Sequence, residues 1–166
     1  MHEKEISCCF TGHRAEKLPW KSNELSPDCL ALKERIADTV ESVYRAGLRH
    51  FICGMATGCD MYFCEAVIAL RSEHDEITLE AAIPWEKQSS AWSPALKQRY
   101  NRLVESCDYY TLVQTQYSPD CFMRRNRYMV DSSSLLIAAY NGQQGGTMST
   151  LLYAMRQGLE IIELSI

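Results

Sequence analysis

Apolar residues recur along the chain in two alternating rhythms. Short runs at residues 6–10, 50–53, 78–83, 109–113, 134–139 and 160–164 are rich in Ile, Leu, Val, Phe, Ala and Cys. Runs this brief, set off by turn-forming residues, predict strands that are covered on both faces. The segments between them carry apolar positions at helical intervals. Leu30, Ile36, Val40, Val43 and Tyr44 follow the steps of one helix face, and Gly47 supplies a stop. Helices are likewise expected over residues 60–72, 94–105, 122–131 and 147–157, the last ended by Gly158.

Strand and helix in strict alternation predict right-handed β-α-β crossovers. The expected fold is α/β: a Rossmann-like, doubly wound, mainly parallel sheet of about six strands with helices on both faces. The 166 residues suit one domain, 1–166, with no repeat or linker inside it. Sheets of this kind bind ligands at the carboxyl ends of their strands, so the loops that follow strands are where chemistry is expected. The long loop at residues 16–28, with Pro19 and Pro27, is placed to cover a pocket.

Composition narrows the partners. A formal net charge of −4 and a pI near 5.6 speak against a surface that wraps nucleic acid. Eight cysteines would suit a disulfide framework in a secreted chain, but the opening residues MHEKEISCCF lack the apolar core of a signal peptide. A cytoplasmic location with reduced thiols is expected. No CxxC pair occurs, and Cys53, Cys59 and Cys64 match no zinc-ligand spacing, so no metal is expected. No run approaches the ~20 apolar residues that would cross a bilayer.

Four segments carry candidate chemistry. Thr11, Gly12, His13 and Arg14 follow the first strand, where glycine lets a ligand approach the backbone and Arg14 can pair with phosphate. The same residues also suit an ordinary tight turn. GMATGCD, residues 54–60, lies between the second strand and an apolar helix. Gly54 and Gly58 expose backbone N–H groups there, and Asp60 serves either as a helix cap or as a partner for a ribose hydroxyl. NGQQGGT, residues 141–147, repeats that geometry after the fifth strand, with Gly145, Gly146 and Thr147 opening the next helix. Thr147 either caps the helix or binds phosphate. In FMRRNRYMVDSS, residues 122–133, Arg127 and Asp131 share a helix face with Met123 and Val130. Arg127 is therefore expected to point toward apolar surroundings and to pair with Asp131 or with a ligand phosphate, while Arg124 and Arg125 are expected in solvent.

Taken in order, TGHR at 11–14, GxxxGxD at 54–60, RNRxMVD at 125–131 and GGT at 145–147 resemble the YpsA-like branch of the SLOG superfamily. The resemblance spans nearly the whole chain. It implies a Rossmann-like relative of the LOG phosphoribohydrolases and of the DNA-processing protein DprA. By the same resemblance, a nucleotide or a NAD- or ADP-ribose-like ligand is held by Gly54, Gly58, Asp60, Gly145, Gly146 and Thr147, with Gly12 and Arg14 as looser matches. It further implies a homo-oligomer, a protein partner, and a link to cell division or stress in Gram-positive bacteria. The LOG pattern resembles PGGxGTxxE, whereas Met148, Ser149 and Thr150 follow Thr147 here, without the glutamate. A binding or sensing module is therefore expected first. A phosphoribohydrolase that cleaves a nucleoside 5′-monophosphate comes second, and DprA-like DNA binding third.

Overall fold

The computed structural model describes residues 2–166. Six strands alternate with five helices: β1 (Ser7–Gly12), α1 (Pro27–Arg45), β2 (His50–Cys53), α2 (Cys59–Arg71), β3 (Thr78–Ile83), α3 (Pro94–Ser106), β4 (Tyr109–Leu112), α4 (Cys121–Asp131), β5 (Leu135–Tyr140), α5 (Gly146–Arg156) and β6 (Glu160–Ser165). The strands form one sheet in the order β4-β3-β2-β1-β5-β6, and every pairing is parallel. This is the Rossmann-like, doubly wound arrangement that the alternating rhythms predict.

Period-two alternation in the strands sorts the core into two layers. Phe10, Phe51, Leu79 and Ile137 pack on the side of α1, α2 and α3. Their immediate neighbours Cys9, Ile52 and Leu136 pack on the other side, with Met129 and Val130 of α4 and Leu151 and Ala154 of α5. Right-handed crossovers require this division. Strands laid down outward from β1 to β4 place their helices on one face, and the return to β5 places α4 and α5 on the other.

Two local details differ from expectation. Strand β1 continues through Thr11 and Gly12, which pair with Ala138 and Ala139, so these two residues belong to the sheet rather than to a turn after it. In α1 the inward positions are Cys29, Leu32, Ile36, Val40 and Val43, whereas Leu30 is 50% exposed. The spacing from Cys29 to Leu32 to Ile36 holds one face, and Leu30 stands a residue off it. All eight cysteines are free thiols, and burial pushes the Cys9 thiol up to about 12. No helix among the described residues is long and apolar enough to cross a membrane.

Candidate functional site

Strands β1 and β5 lie side by side, yet the chain leaves them toward opposite faces of the sheet. Such a switch point opens a crevice at the strands' carboxyl ends. A cavity of 290 Å³ occupies it, lined by Thr11 and Gly12 at the end of β1, by His13, Arg14 and Lys17 after it, by Ala56 and Asp60, by Phe122, Arg125 and Asn126 of α4, and by Gly146 and Thr147 of α5. Glu16 and Lys17 belong to the loop expected to cover a pocket, and both line this one. His13 ties the two rims together: its Nε2 lies 3.1 Å from the backbone nitrogen of Asn141 and 3.0 Å from that residue's side-chain oxygen.

The two glycine turns play different parts. Gly58 has φ 80°, and a Cβ on it would lie 2.6 Å from the backbone nitrogen of Ala15. Backbone therefore packs on backbone, and Cys59 N–H donates to the carbonyl of His13 at 3.1 Å. Asp60 is neither an N-cap nor free; its Oδ2 accepts the N–H of Ala56 at 3.0 Å. A Cβ on Gly54 would sit 2.7 Å from the Arg125 guanidinium, so the missing side chain is what makes room for that cation. The turn at 54–60 thus commits the N–H groups of Ala56 and Cys59 inside the protein, and its Gly58 packs against residues 13–15.

The turn before α5 is the open one. Gly145 is the N-cap, no side chain caps the helix, and the first backbone bond to reach back is Ser149 N–H to Gly145 O at 3.0 Å. The N–H groups of Gly146, Thr147 and Met148 thus have no acceptor among the described residues. A Cβ on Gly146 would meet nothing within 4 Å. Thr147 is 6% exposed and Thr11 is 7% exposed, both line the cavity, and neither hydroxyl has a hydrogen-bond partner among the described residues.

Helix α4 corrects the reading of its arginines. Cys121, Arg125 and Met129, four apart, face inward, and Arg127 is exposed. Arg125, expected in solvent, is 4% exposed and donates to the carbonyls of Gly54 and Ala82 and to Asn126 Oδ1. Arg127 stacks on Tyr153, with its guanidinium carbon 5.2 Å from the ring centroid, while Asp131 accepts the Tyr153 hydroxyl at 2.7 Å. The expected Arg127–Asp131 ion pair is not formed, and Asp131 lies outside the cavity. The spacing of Cys121, Arg125 and Met129 is as helical as that of Met123, Arg127 and Val130, so the sequence offered both faces. Lys17 was marked only through its loop, and nothing in the sequence marks Phe122 or Asn126 as pocket residues.

No carboxylate pairs with Arg125 among the described residues, and burial pulls its pKa down despite the charge of Asp60. Burial raises the Asp60 pKa in turn, against the pull of Arg125 and Arg14. Arg14 lies over the Phe122 ring at 4.6 Å. Cations, unspent N–H groups and unpartnered hydroxyls therefore converge on one small cavity, which can accept an anion.

A second buried charge lies elsewhere on the α4 side of the sheet. Glu80 Oε1 is 2.7 Å from His50 Nε2, and its Oε2 accepts hydroxyls from Thr111, at 2.8 Å, and from Tyr128. Burial alone would raise its pKa, but these bonds outweigh it and hold the carboxyl below its usual range. Among the described residues no three His, Cys, Asp or Glu side chains are grouped to hold a metal ion.

A parallel sheet with a pocket at its switch point and an uncapped helix end beside it defines a Rossmann-like α/β protein. The chain belongs to the YspA SLOG family, whose model matches residues 8–163. It is 31% identical over 144 residues to the SPbeta prophage-derived protein YoqJ of Bacillus subtilis, covering 79% of this chain and 84% of that one. It is 22% identical over 156 residues to a UPF0398 protein of Bacillus thuringiensis, covering 91% and 83%. Among solved structures, the DNA processing protein DprA of Streptococcus pneumoniae shares the fold with a TM-score of 0.64 at 18% identity. That match covers 96% of this chain and 50% of DprA, so the chain spans about half the length of that protein.

Proposed function

We propose that the chain is one domain, 1–166, that binds a nucleotide or nucleotide-derived ligand with a phosphate seated on the first turn of α5. One observation carries this reading: the unspent N–H groups of Gly146 and Thr147 face the same cavity as Arg125, a buried cation without a carboxylate partner. A phosphate there would take donors that otherwise have no acceptor and would supply the missing counter-charge. A Cβ on Gly12 would lie 2.6 Å from that of Cys59, so Gly12 lets β1 pack on the start of α2, and Arg14 and Lys17 line the cavity beside it.

The test is a thermal-shift titration with AMP, ADP-ribose and NAD⁺. A ligand at one hundred times its Kd stabilises the native state by about 2.7 kcal/mol. Gly146→Val places its side chain in open space in the pocket, so it should fold normally and abolish the shift. Arg125→Met should reduce it to about 1 kcal/mol at the same ligand concentration. If no nucleotide stabilises the wild-type protein, the reading fails.

Asp60 supports a second reading. It is a buried carboxyl with a raised pKa in the pocket wall, which suits a general acid for cleaving the N-glycosidic bond of a nucleoside 5′-monophosphate. Chromatography of nucleoside monophosphates incubated with the protein tests it, and absence of released base rejects it. A DNA-binding reading gains less. Arg124 pairs with Asp120 at 2.8 Å, Arg125 is buried and Arg127 lies on Tyr153, so these arginines form no continuous basic strip.

A further inference from the structure

Three of the eight free thiols form a row on the α1, α2 and α3 side of the sheet. Cys53 ends β2, Cys64 lies in α2 and Cys107 follows α3, and the Cys64 thiol is in contact with both of the others. Cys53 and Cys64 are fully buried in the larger apolar cluster, whereas Cys107 packs on its edge and is partly exposed. In their thiol forms Cys53 donates to Asp60 O at 3.2 Å and Cys107 to Leu103 O at 3.3 Å. Arg71 sets the charge at the exposed end. From the last turn of α2 its guanidinium donates to Ser106 O and to Asp108 Oδ2, each at 2.7 Å, and so brackets Cys107 through both of its chain neighbours.

We propose that Cys107 is a site of reversible oxidation by hydroperoxides, closed by a disulfide to Cys64. The Cys64 S–H and the Arg71 cation favour a thiolate at Cys107, against burial and the carboxylates of Asp108 and Glu80, and hold its pKa below the ordinary thiol value. Cys64 is pushed the other way by its contacts with Cys107 and Cys53 and by burial, so it keeps its proton. A partly exposed thiolate beside a cation is the reactive form of cysteine, and a second thiol next to it can resolve the product. In the first step the Cys107 sulfur takes one oxygen of the hydroperoxide and the O–O bond breaks. The departing oxyanion takes up the proton that Cys107 gave up and leaves as alcohol or water. In the second step the Cys64 sulfur displaces hydroxide from the Cys107 sulfenic acid, and the Cys64 proton leaves with it as water. The two thiols lose two electrons between them, and the hydroperoxide gains them. Cys8 and Cys9 form no such pair, because as strand neighbours they point to opposite faces of the sheet. The new bond would fasten α2, whose first turn places Asp60 in the wall of the switch-point cavity, to the junction of α3 and β4. It requires no ligand in that cavity.

Hydrogen peroxide treatment of the folded chain, followed by alkylation and peptide mass mapping, tests the proposal. A disulfide between Cys64 and Cys107 should form and should vanish on addition of dithiothreitol. In Cys64→Ala the reaction should stop one step earlier, with dimedone capturing Cys107 as its sulfenic acid. Before oxidation, iodoacetamide at pH 7 should alkylate Cys107 about tenfold faster than any other cysteine of the chain. Arg71→Gln should move the pH midpoint of that alkylation upward, a change that a merely structural role for Arg71 would not produce. Peroxide that leaves Cys107 reduced in both the wild-type chain and Cys64→Ala overturns the site. Oxidation of Cys107 without a bond to Cys64, or with a bond to another cysteine, overturns the pairing. An unmoved midpoint in Arg71→Gln overturns the role given to the cation.

Discussion

Glu80 and Arg125 are both buried charges on the α4 side of the sheet, and they are provided for in opposite ways. Glu80 has His50 on one oxygen and two hydroxyls on the other, so both of its acceptor atoms are spent. Arg125 has only neutral acceptors: two backbone carbonyls and an amide oxygen. A buried charge with an opposing group and filled hydrogen bonds belongs to the architecture. One bonded only to neutral acceptors, with its nearest carboxylate, Asp60, outside ion-pair distance, and next to unspent donors and an open cavity, is arranged to take a closer counter-charge. Burial by itself does not distinguish structure from function here, but the chemistry of the partners does.

The strongest test of this contrast is the pair Glu80→Ala and Arg125→Met. Removing Glu80 strands His50 and two hydroxyls and should cost about 3 kcal/mol in urea unfolding. Nucleotide binding should persist in the folded fraction. Arg125→Met should do the reverse: it removes a cation that is expensive to bury, so unliganded stability should hold or rise by about 1 kcal/mol. Its nucleotide affinity should fall by about 2 kcal/mol, roughly thirtyfold. A large stability loss in Arg125→Met with binding retained would make Arg125 a structural residue and end the contrast.

Titration sharpens it next. The folded-state pKa of Glu80 is depressed, so its contribution to stability is present above the unfolded carboxyl value of about 4.3 and is lost as pH falls through the folded value. Asp60 has the opposite sign. Its raised pKa means that its contribution is present below the unfolded value of about 3.9 and is lost as pH rises through the folded value. Glu80→Gln should therefore flatten the acid limb of the stability curve, and Asp60→Asn should raise stability by about 1 kcal/mol at pH 7. Chemical unfolding at pH 3 to 8 measures both. A destabilised Asp60→Asn at pH 7 would mean that the carboxylate is needed charged in the ligand-free fold.

The fold was legible because each element was written in its own periodicity. Strand and helix spans agree with the apolar rhythms to within two residues, since the four central strands are buried on both faces and the glycines at 47 and 158 end their helices with positive φ; the edge strands β4 and β6 are largely exposed. The pocket was legible only in outline. Glycine turns mark where backbone is bent, but not whether its N–H groups remain free, and in the turn at 54–60 Cys59 N–H is taken by His13 and Gly58 is packed against Ala15, both remote in sequence. In α4, a pattern centred on Met123 and Val130 pointed to Arg127. The face set by Cys121 and Met129 buries Arg125 instead, and only the packing of α4 over β3 and β1 chooses between them.

The smallest predicted effect bears most directly on whether the open donors are a site. Thr147 is nearly as buried as Glu80 is, yet its hydroxyl has no partner among the described residues. The hydroxyl oxygen is not one of the fully buried side-chain atoms left without a partner; it reaches the open cavity, so replacing it with an isosteric methyl should leave the stability of the unliganded protein unchanged. In Thr147→Val the backbone N–H groups and Arg125 remain, and a phosphate would lose one neutral hydrogen bond. That amounts to about 1 kcal/mol, or about a fivefold weaker Kd for AMP by titration calorimetry. Thr150 provides the control: its hydroxyl is already bonded to Gly146 O at 2.9 Å, so Thr150→Val should disturb helix α5 without touching the phosphate. If Thr147→Val loses stability and keeps full affinity, its hydroxyl serves the fold, and the difference between the filled centre at Glu80 and the open one at α5 disappears.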